Sequence, residues 1–226
     1  MPALTHAIVA LLVGLSCATT GGASASLDAG DPAAPLPTAH AHNDYLHADP
    51  CIGAIALGFR SLEVDVHPVG DDLLVGHDPE DLVPERTIER LYLEPLRDWC
   101  AAAGATDLAE AEPPLTLLVD IKRHPARSLE LLLAKLEPLR PLLSHVADGK
   151  FVPGRITVIL SGSRPIAEVT AMEDRFVFID GRPTDLDRDP PVTLMPLISC
   201  SYGLTLRTPL MGPLNDKATA RLHALV

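Results

Sequence analysis

Residues 39–78 read AHAHNDYLHADPCIGAIALGFRSLEVDVHPVGDDLLVGHD, and the class of the fold follows from how the apolar period changes along them. Residues 36–40, running into this stretch, and residues 61–66 within it are short, apolar and β-rich, whereas 50–57 has helical spacing and ends at Gly58. A strand, a helix and a second strand in that order make a parallel βαβ unit. Gly70-Asp71-Asp72 then turns the chain into a short returning strand over 73–75.

The alternation continues outward. Further strands are expected over 115–121, 156–160, 176–179 and 194–199, with helices over 87–103, 128–143 and 165–172 and a last helix over 215–226. Leu129, Leu132, Leu133 and Leu136 recur at three- and four-residue spacing, the mark of one buried helix face, while Pro138 and Pro141 kink or end that helix. Six strand-to-helix units predict an α/β fold of the TIM-type (β/α) barrel kind, incomplete at its C-terminus, with about six of the eight strands such a barrel needs.

A length of 226 residues fits one such domain. Hydrophobic residues at 47% and charged residues at 21% exclude both disorder and a polytopic membrane protein. The formal charge of −12 repels phosphate backbones and anionic bilayers, so no nucleic acid partner is expected. Residues 7–15, AIVALLVGL, are too short to span a bilayer, and Ala23-Ser24-Ala25 follows with small residues. This pattern predicts a signal peptide over 1–25, a flexible tether over 26–36 and a domain over 37–226, exported to a secreted, periplasmic or cell-envelope location. Acylation at Cys17 as a lipoprotein is a variant of that reading. No transmembrane segment is expected in the mature chain. Cys51, Cys100 and Cys200 are odd in number and widely spaced, which excludes a zinc-thiolate site and leaves buried small side chains, or one disulfide and one free thiol.

Polar residues gather where the expected strands end. In a parallel α/β fold those ends open on one face, so His40 to Tyr45, Glu63 with Asp65, His77-Asp78 and Asp120-Ile121-Lys122 should converge. Glu63 and Asp65, two apart on a strand, project to the same side, and Val64 and Val66 to the other. Two like charges so close push one carboxylate toward protonation unless a cation sits between them, and oxygen ligands suit Mg²⁺ or Ca²⁺, with Asp120 as third ligand. The plainer alternative is a salt bridge to Arg60 or Lys122. His40 and His77 are the candidate acid and base, because imidazole titrates near neutrality. His6, His47, His67, His145 and His223 read as packing residues, and His124 stays open. Among the cations that follow strands, Lys122, Arg123, Arg164 and Arg182, a phosphate could find a partner, although Arg123 reads as surface.

Taken together, AHAHNDY, ALGFRSLEVDVHPVGDDLLVGHD, LLVDIK, VILSGSRP, FIDGRP and LISCSYG resemble the glycerophosphodiester phosphodiesterase group of the phosphatidylinositol-specific phospholipase C-like superfamily. The likeness is strongest to the branch that includes fungal altered inheritance of mitochondria protein 6, and it runs from about residue 37 to residue 203. It implies a (β/α) barrel that hydrolyses a glycerophosphodiester or phospholipid-type phosphodiester with one divalent cation. His40 and His77 match the family's two catalytic histidines, Glu63 and Asp65 its metal pair, and Asp120-Ile121-Lys122 a DxK pattern like that of sphingomyelinase D relatives. His42, Asn43, Lys122 and Arg182 would contact a small-molecule or lipid substrate. Arg-Gly after the first histidine and a later ENT motif, usual in glycerophosphodiesterases, are replaced here by Ala41-His42 and absent, respectively.

Two rivals differ in class. An amidohydrolase or PHP-like metallohydrolase would use His40 and His42 as transition-metal ligands. An inactive, truncated binding module would leave a barrel edge exposed, which oligomerisation could cover.

Overall fold

The computed structural model describes residues Ala7–Ile8, 33–102 and 114–200. Its strands are β1 (Ala7–Ile8), β2 (Ser61–Val69), β3 (Asp72–Val75), β4 (Leu115–Ile121), β5 (His145–Ala147), β6 (Lys150–Val152), β7 (Ile156–Gly162), β8 (Phe178–Gly181) and β9 (Leu197–Ile198). The helices are α1 (Ile52–Ala56), α2 (Glu94–Ala102), α3 (Pro125–Leu136) and α4 (Ile166–Thr170). Seven strands form one sheet in the order β1-β9-β8-β7-β4-β2-β3, and only β3 runs antiparallel to its neighbour.

This architecture is mixed α/β, as expected, but the described strands stay open: β1 and β3 are the two edges, and no closed barrel forms among the described residues. The expected first strand, 36–40, is reduced to two parallel bridges, Leu36 to Phe59 and Ala41 to Leu62. Pro35 and Pro37 explain this, since each removes a backbone donor from the ladder. The last expected strand, 194–199, shrinks to Leu197–Ile198 after Pro196 for the same reason. Of the apolar run 7–15, the described pair Ala7–Ile8 lies in the sheet beside β9. The rest of that run, Cys17, most of the 26–36 segment and the helix expected over 215–226 fall outside the described residues.

Each sheet face has its own partner. Leu62, Val64 and Val66 of β2, Leu117, Val119 and Ile121 of β4 and Val158 and Leu160 of β7 share one buried cluster with Leu96 of α2 and Leu129, Leu132 and Leu136 of α3. A fully buried leucine in such a cluster contributes about 2 kcal/mol. Pro95, lacking an N–H, breaks the helical ladder one residue into α2, and the preceding turn Glu89–Leu93 widens to a π-helix. After α3 the chain tightens into a 3₁₀ turn over Glu137–Leu142, where Pro138 and Pro141 stand. On the opposite face Leu118, Ile159 and Phe178 make a smaller cluster with Val146 and Leu197. An unexpected hairpin, β5–β6, closes this end, with Phe151 tilted against Phe178 at 5.7 Å between ring centres.

Candidate active site

The strand register lines up the chemistry. Asp65 of β2 pairs with Asp120 of β4, and Asp120 with Ser161 of β7, so three polar side chains sit abreast near the carboxyl ends of parallel strands. Beside them on β8, Asp180 accepts a hydrogen bond from Ser161 at 2.8 Å. Asp120, Ser161 and Asp180 line a cavity of about 610 Å³, whose wall also includes His40, His42, Asn43, Glu63, His77, Lys122 and Arg182, and Asp65 lies fully buried beside Asp120. Residues of five neighbouring strands line this one hollow, so the sheet curls around it.

Within the hollow, Glu63, Asp65 and Asp120 bring carboxylate oxygens within 4.8 Å of one another. Asp65 is fully buried, and its Oδ1 has no partner, whereas Oδ2 accepts from Tyr45 O–H at 2.7 Å and lies 3.0 Å from Lys122 Nζ. The same ammonium lies 3.3 Å from Asp120 Oδ1. Burial opposes that charge, yet Asp120 and Asp65 together hold the Lys122 pKa above its ordinary value. Burial, reinforced by Asp65, pushes the Glu63 carboxyl up to about 7, and burial also raises Asp120. The three carboxylates form a group that could hold a metal ion. The salt bridge weighed as the alternative to a metal site is therefore present, at Lys122, alongside an unpartnered ligand oxygen.

The residues of the 40–44 loop meet different surroundings. Nδ1 of His40 lies 2.7 Å from Ser61 Oγ, its Nε2 is buried without a partner, and burial with the nearby His42 lowers its pKa to about 4. His42 instead puts Nε2 3.2 Å from Glu63 Oε2, and burial lowers its pKa too. Asn43, at φ 51°, gives its backbone N–H to the same Glu63 oxygen at 3.2 Å. Asp44 accepts from the Cys51 N–H at 2.6 Å and from Tyr92 O–H at 3.1 Å, which ties the loop to the core. His77 stands at the rim, 55% exposed, with Nδ1 3.1 Å from Asp78.

Across the hollow, Arg182 is built into a network. Its guanidinium donates to Asp180 Oδ2, to Ser199 Oγ at 2.6 Å and to Ser161 Oγ at 3.0 Å, while Ser199 O–H also reaches Asp180 at 2.8 Å. Asp180 Oδ1 is buried and unpartnered. Arg164 is spent elsewhere, on the Asp180 carbonyl and Asp185. His67, read as a packing residue, is buried and reaches the His77 carbonyl at 3.1 Å. Sequence reasoning put Tyr45 in the converging cluster without a role and missed Ser161, Asp180 and Ser199. Asp180 carried the same signal as Asp120, an acidic residue closing an apolar β-run. Cys51, Cys100 and Cys200 are free, the first two buried.

The fold and the hollow define a class, a mixed α/β protein that gathers carboxylates, imidazoles and a guanidinium at the carboxyl ends of parallel strands. The chain belongs to the AIM6-like phosphodiesterase domain family, whose model matches residues 31–180. Membership carries a phosphodiesterase-like role at the level of the family. Among similar proteins, the altered inheritance of mitochondria protein 6 homolog of Arthroderma benhamiae is 32% identical over 174 residues, 67% of this chain and 55% of that protein. Altered inheritance of mitochondria protein 6 of Eremothecium gossypii is 32% identical over 164 residues, 64% and 42% of the two chains. That of Lachancea thermotolerans is 30% identical over 183 residues, 67% and 42%. The chain thus spans about half the length of the curated relatives it matches. No solved structure matches it.

These names correct the expectation of export. The relatives are named for altered inheritance of mitochondria, and on that finding a secreted, periplasmic or cell-envelope location is not retained, nor is lipidation at Cys17. Among the described residues no helix is long and apolar enough to cross a membrane.

Proposed function

We propose that this protein is a divalent-cation-dependent phosphodiesterase acting on a glycerophosphodiester or phospholipid-type phosphodiester, on a domain of residues 37–226 whose sheet is the wall of a TIM-type barrel. The observation that carries the reading is the buried, unpartnered Oδ1 of Asp65, a carboxylate grouped with those of Glu63 and Asp120. A buried carboxylate oxygen without a donor is costly unless a ligand supplies the positive charge. Glu63, Asp65 and Asp120 would hold Mg²⁺ or Ca²⁺, hard ions that take oxygen ligands. The bound ion would polarise phosphoryl oxygens and stabilise charge in the transition state.

The chain's own groups supply the rest. Arg182, held by Asp180, Ser161 and Ser199, presents a preorganised guanidinium to an anionic phosphate, and Lys122 adds a second cation beside the triad. For proton transfer, His42 and His77 suit the geometry best. His42 is oriented by Glu63 at the triad, and His77 stands exposed at the rim where a leaving alkoxide would depart. His40 carries the family's first catalytic position by resemblance, but its Nδ1 meets Ser61 Oγ rather than a triad carboxylate.

The test is a phosphodiester panel with and without chelator, followed by phosphorus NMR to separate cyclic from hydrolysed product. Cleavage that EDTA abolishes and added Mg²⁺ or Ca²⁺ restores supports the proposal. A folded protein that cleaves no diester with any divalent ion overturns it.

A further inference from the structure

The three triad carboxylates share a pattern. Each has one oxygen already engaged by donors of the chain: Asp65 Oδ2 by Tyr45 O–H and Lys122, Glu63 Oε2 by the Asn43 N–H and His42, and Asp120 Oδ1 by Lys122. Only Asp65 combines this with complete burial and an orphaned second oxygen. Tyr45 is the most firmly seated of the donors. Its side chain is buried to 2% exposure, it sits in the 3₁₀ turn Asp44–Leu46, its carbonyl accepts from the Arg86 guanidinium, and its neighbour Asp44 is pinned by Cys51 and Tyr92.

We propose that Tyr45 is a positioning residue that makes Asp65 a one-oxygen ligand and thereby sets the site for Mg²⁺ over Ca²⁺. The inference rests on the cation-dependent reading above. Ca²⁺ takes about 6–8 oxygens and commonly draws both oxygens of a carboxylate, whereas Mg²⁺ keeps several waters and needs only one oxygen from each of a few carboxylates. With the phenol at 2.7 Å and the Lys122 ammonium at 3.0 Å both on Oδ2, Asp65 is left Oδ1 to offer, and Tyr45 is the donor that also comes from outside the ion-pair cluster. Hydrogen bonds behind a metal ligand of this kind fix its orientation and its basicity.

Calorimetric titration of the full chain with Mg²⁺ and with Ca²⁺, for the native protein and for Tyr45→Phe, tests this without reference to turnover. The native chain should bind Mg²⁺ more tightly than Ca²⁺. Tyr45→Phe, with its apo melting transition checked, should lose about tenfold or more in Mg²⁺ affinity and less in Ca²⁺ affinity, so the preference narrows. An unchanged Mg²⁺-to-Ca²⁺ ratio in a folded Tyr45→Phe protein overturns the role of Tyr45. If that variant does not fold, the native ratio decides, and Ca²⁺ binding equal to or tighter than Mg²⁺ binding overturns it. A native chain that binds neither ion refutes the cation-dependent reading as well, so the two failures are distinguishable.

Discussion

Gly162 and Asp120 lie one register step apart on neighbouring parallel strands, so close that a β-carbon at 162 would stand 2.2 Å from Asp120 Oδ1. Gly162 is also at φ +65°, where an L side chain costs about 1–2 kcal/mol. Gly162→Ala should therefore lower the melting temperature by about 4 °C or more and displace the Asp120 carboxylate. A variant that melts like the native protein would show that the contact is easily relaxed.

The two histidines on either side of Ala41 separate cleanly. His42→Ala should reduce turnover by at least about 10², the usual contribution of a general acid or base. His40→Asn should reduce it less, because that ring meets Ser61 rather than the triad. Steady-state kinetics on a cleaved diester, with circular dichroism as a check on folding, decide the order. The reverse order would return the catalytic role to His40.

His40 also gives the protein an acid limit. Its pKa falls from the ordinary 6.5 to about 4 on folding, so between those values the unfolded chain binds more protons. Stability attached to this group is whole above pH 6.5 and drains away as pH falls toward 4. His40→Asn removes that proton uptake, and its melting temperature should decline less than the native one between pH 6.5 and pH 4.

Glu63 titrates in the other sense. With its carboxyl pushed up to about 7, the proton must leave before the oxygen can ligate, so divalent-ion affinity should weaken as pH drops through about 7. Calorimetry in buffers of different ionisation enthalpy should show proton release on binding near pH 6, lost in Glu63→Gln. Binding without proton release would place the ion away from Glu63.

Asp180→Ala deprives Arg182 of its carboxylate partner while leaving the triad residues in place. If the guanidinium holds a substrate phosphate, KM should rise about tenfold or more with a smaller change in kcat, in line with a charge-assisted hydrogen bond of about 1.5–3 kcal/mol. An unchanged KM would make the network purely structural.

Much of this was legible from residue pattern. LTLLVDI, apolar on both faces, predicts a central parallel strand, and β4 spans Leu115–Ile121 as expected. The alternation in SLEVDV correctly brings the Glu63 and Asp65 carboxylates together and puts Val64 and Val66 in the core. What failed has local causes. Prolines 35 and 37 thin the first strand to bridges, an effect that apolar content alone conceals. The β5–β6 hairpin was signalled by Asp148-Gly149, both at positive φ (51° and 70°), but its flanking strands have only three residues each and no clear alternation. The role of Tyr45 escaped notice because nothing in a one-dimensional pattern says that a tyrosine will reach a carboxylate twenty residues ahead. Barrel closure is the part that strand counting leaves open, since a count of units says nothing about whether their outer edges meet, and no closed barrel forms among the described residues.

β2 has an unusual pair of flanks. One side is zipped to β4, while the other is divided between the bridge at Ala41 near its start and β3 near its end. Through these ladders a single strand carries Glu63 and Asp65 and tethers the segments bearing His42 and His77. Amide protons of β2 and of both flanking segments should consequently exchange with deuterium as one cooperative block, so that any opening able to expose Asp65 dismantles the whole apparatus together.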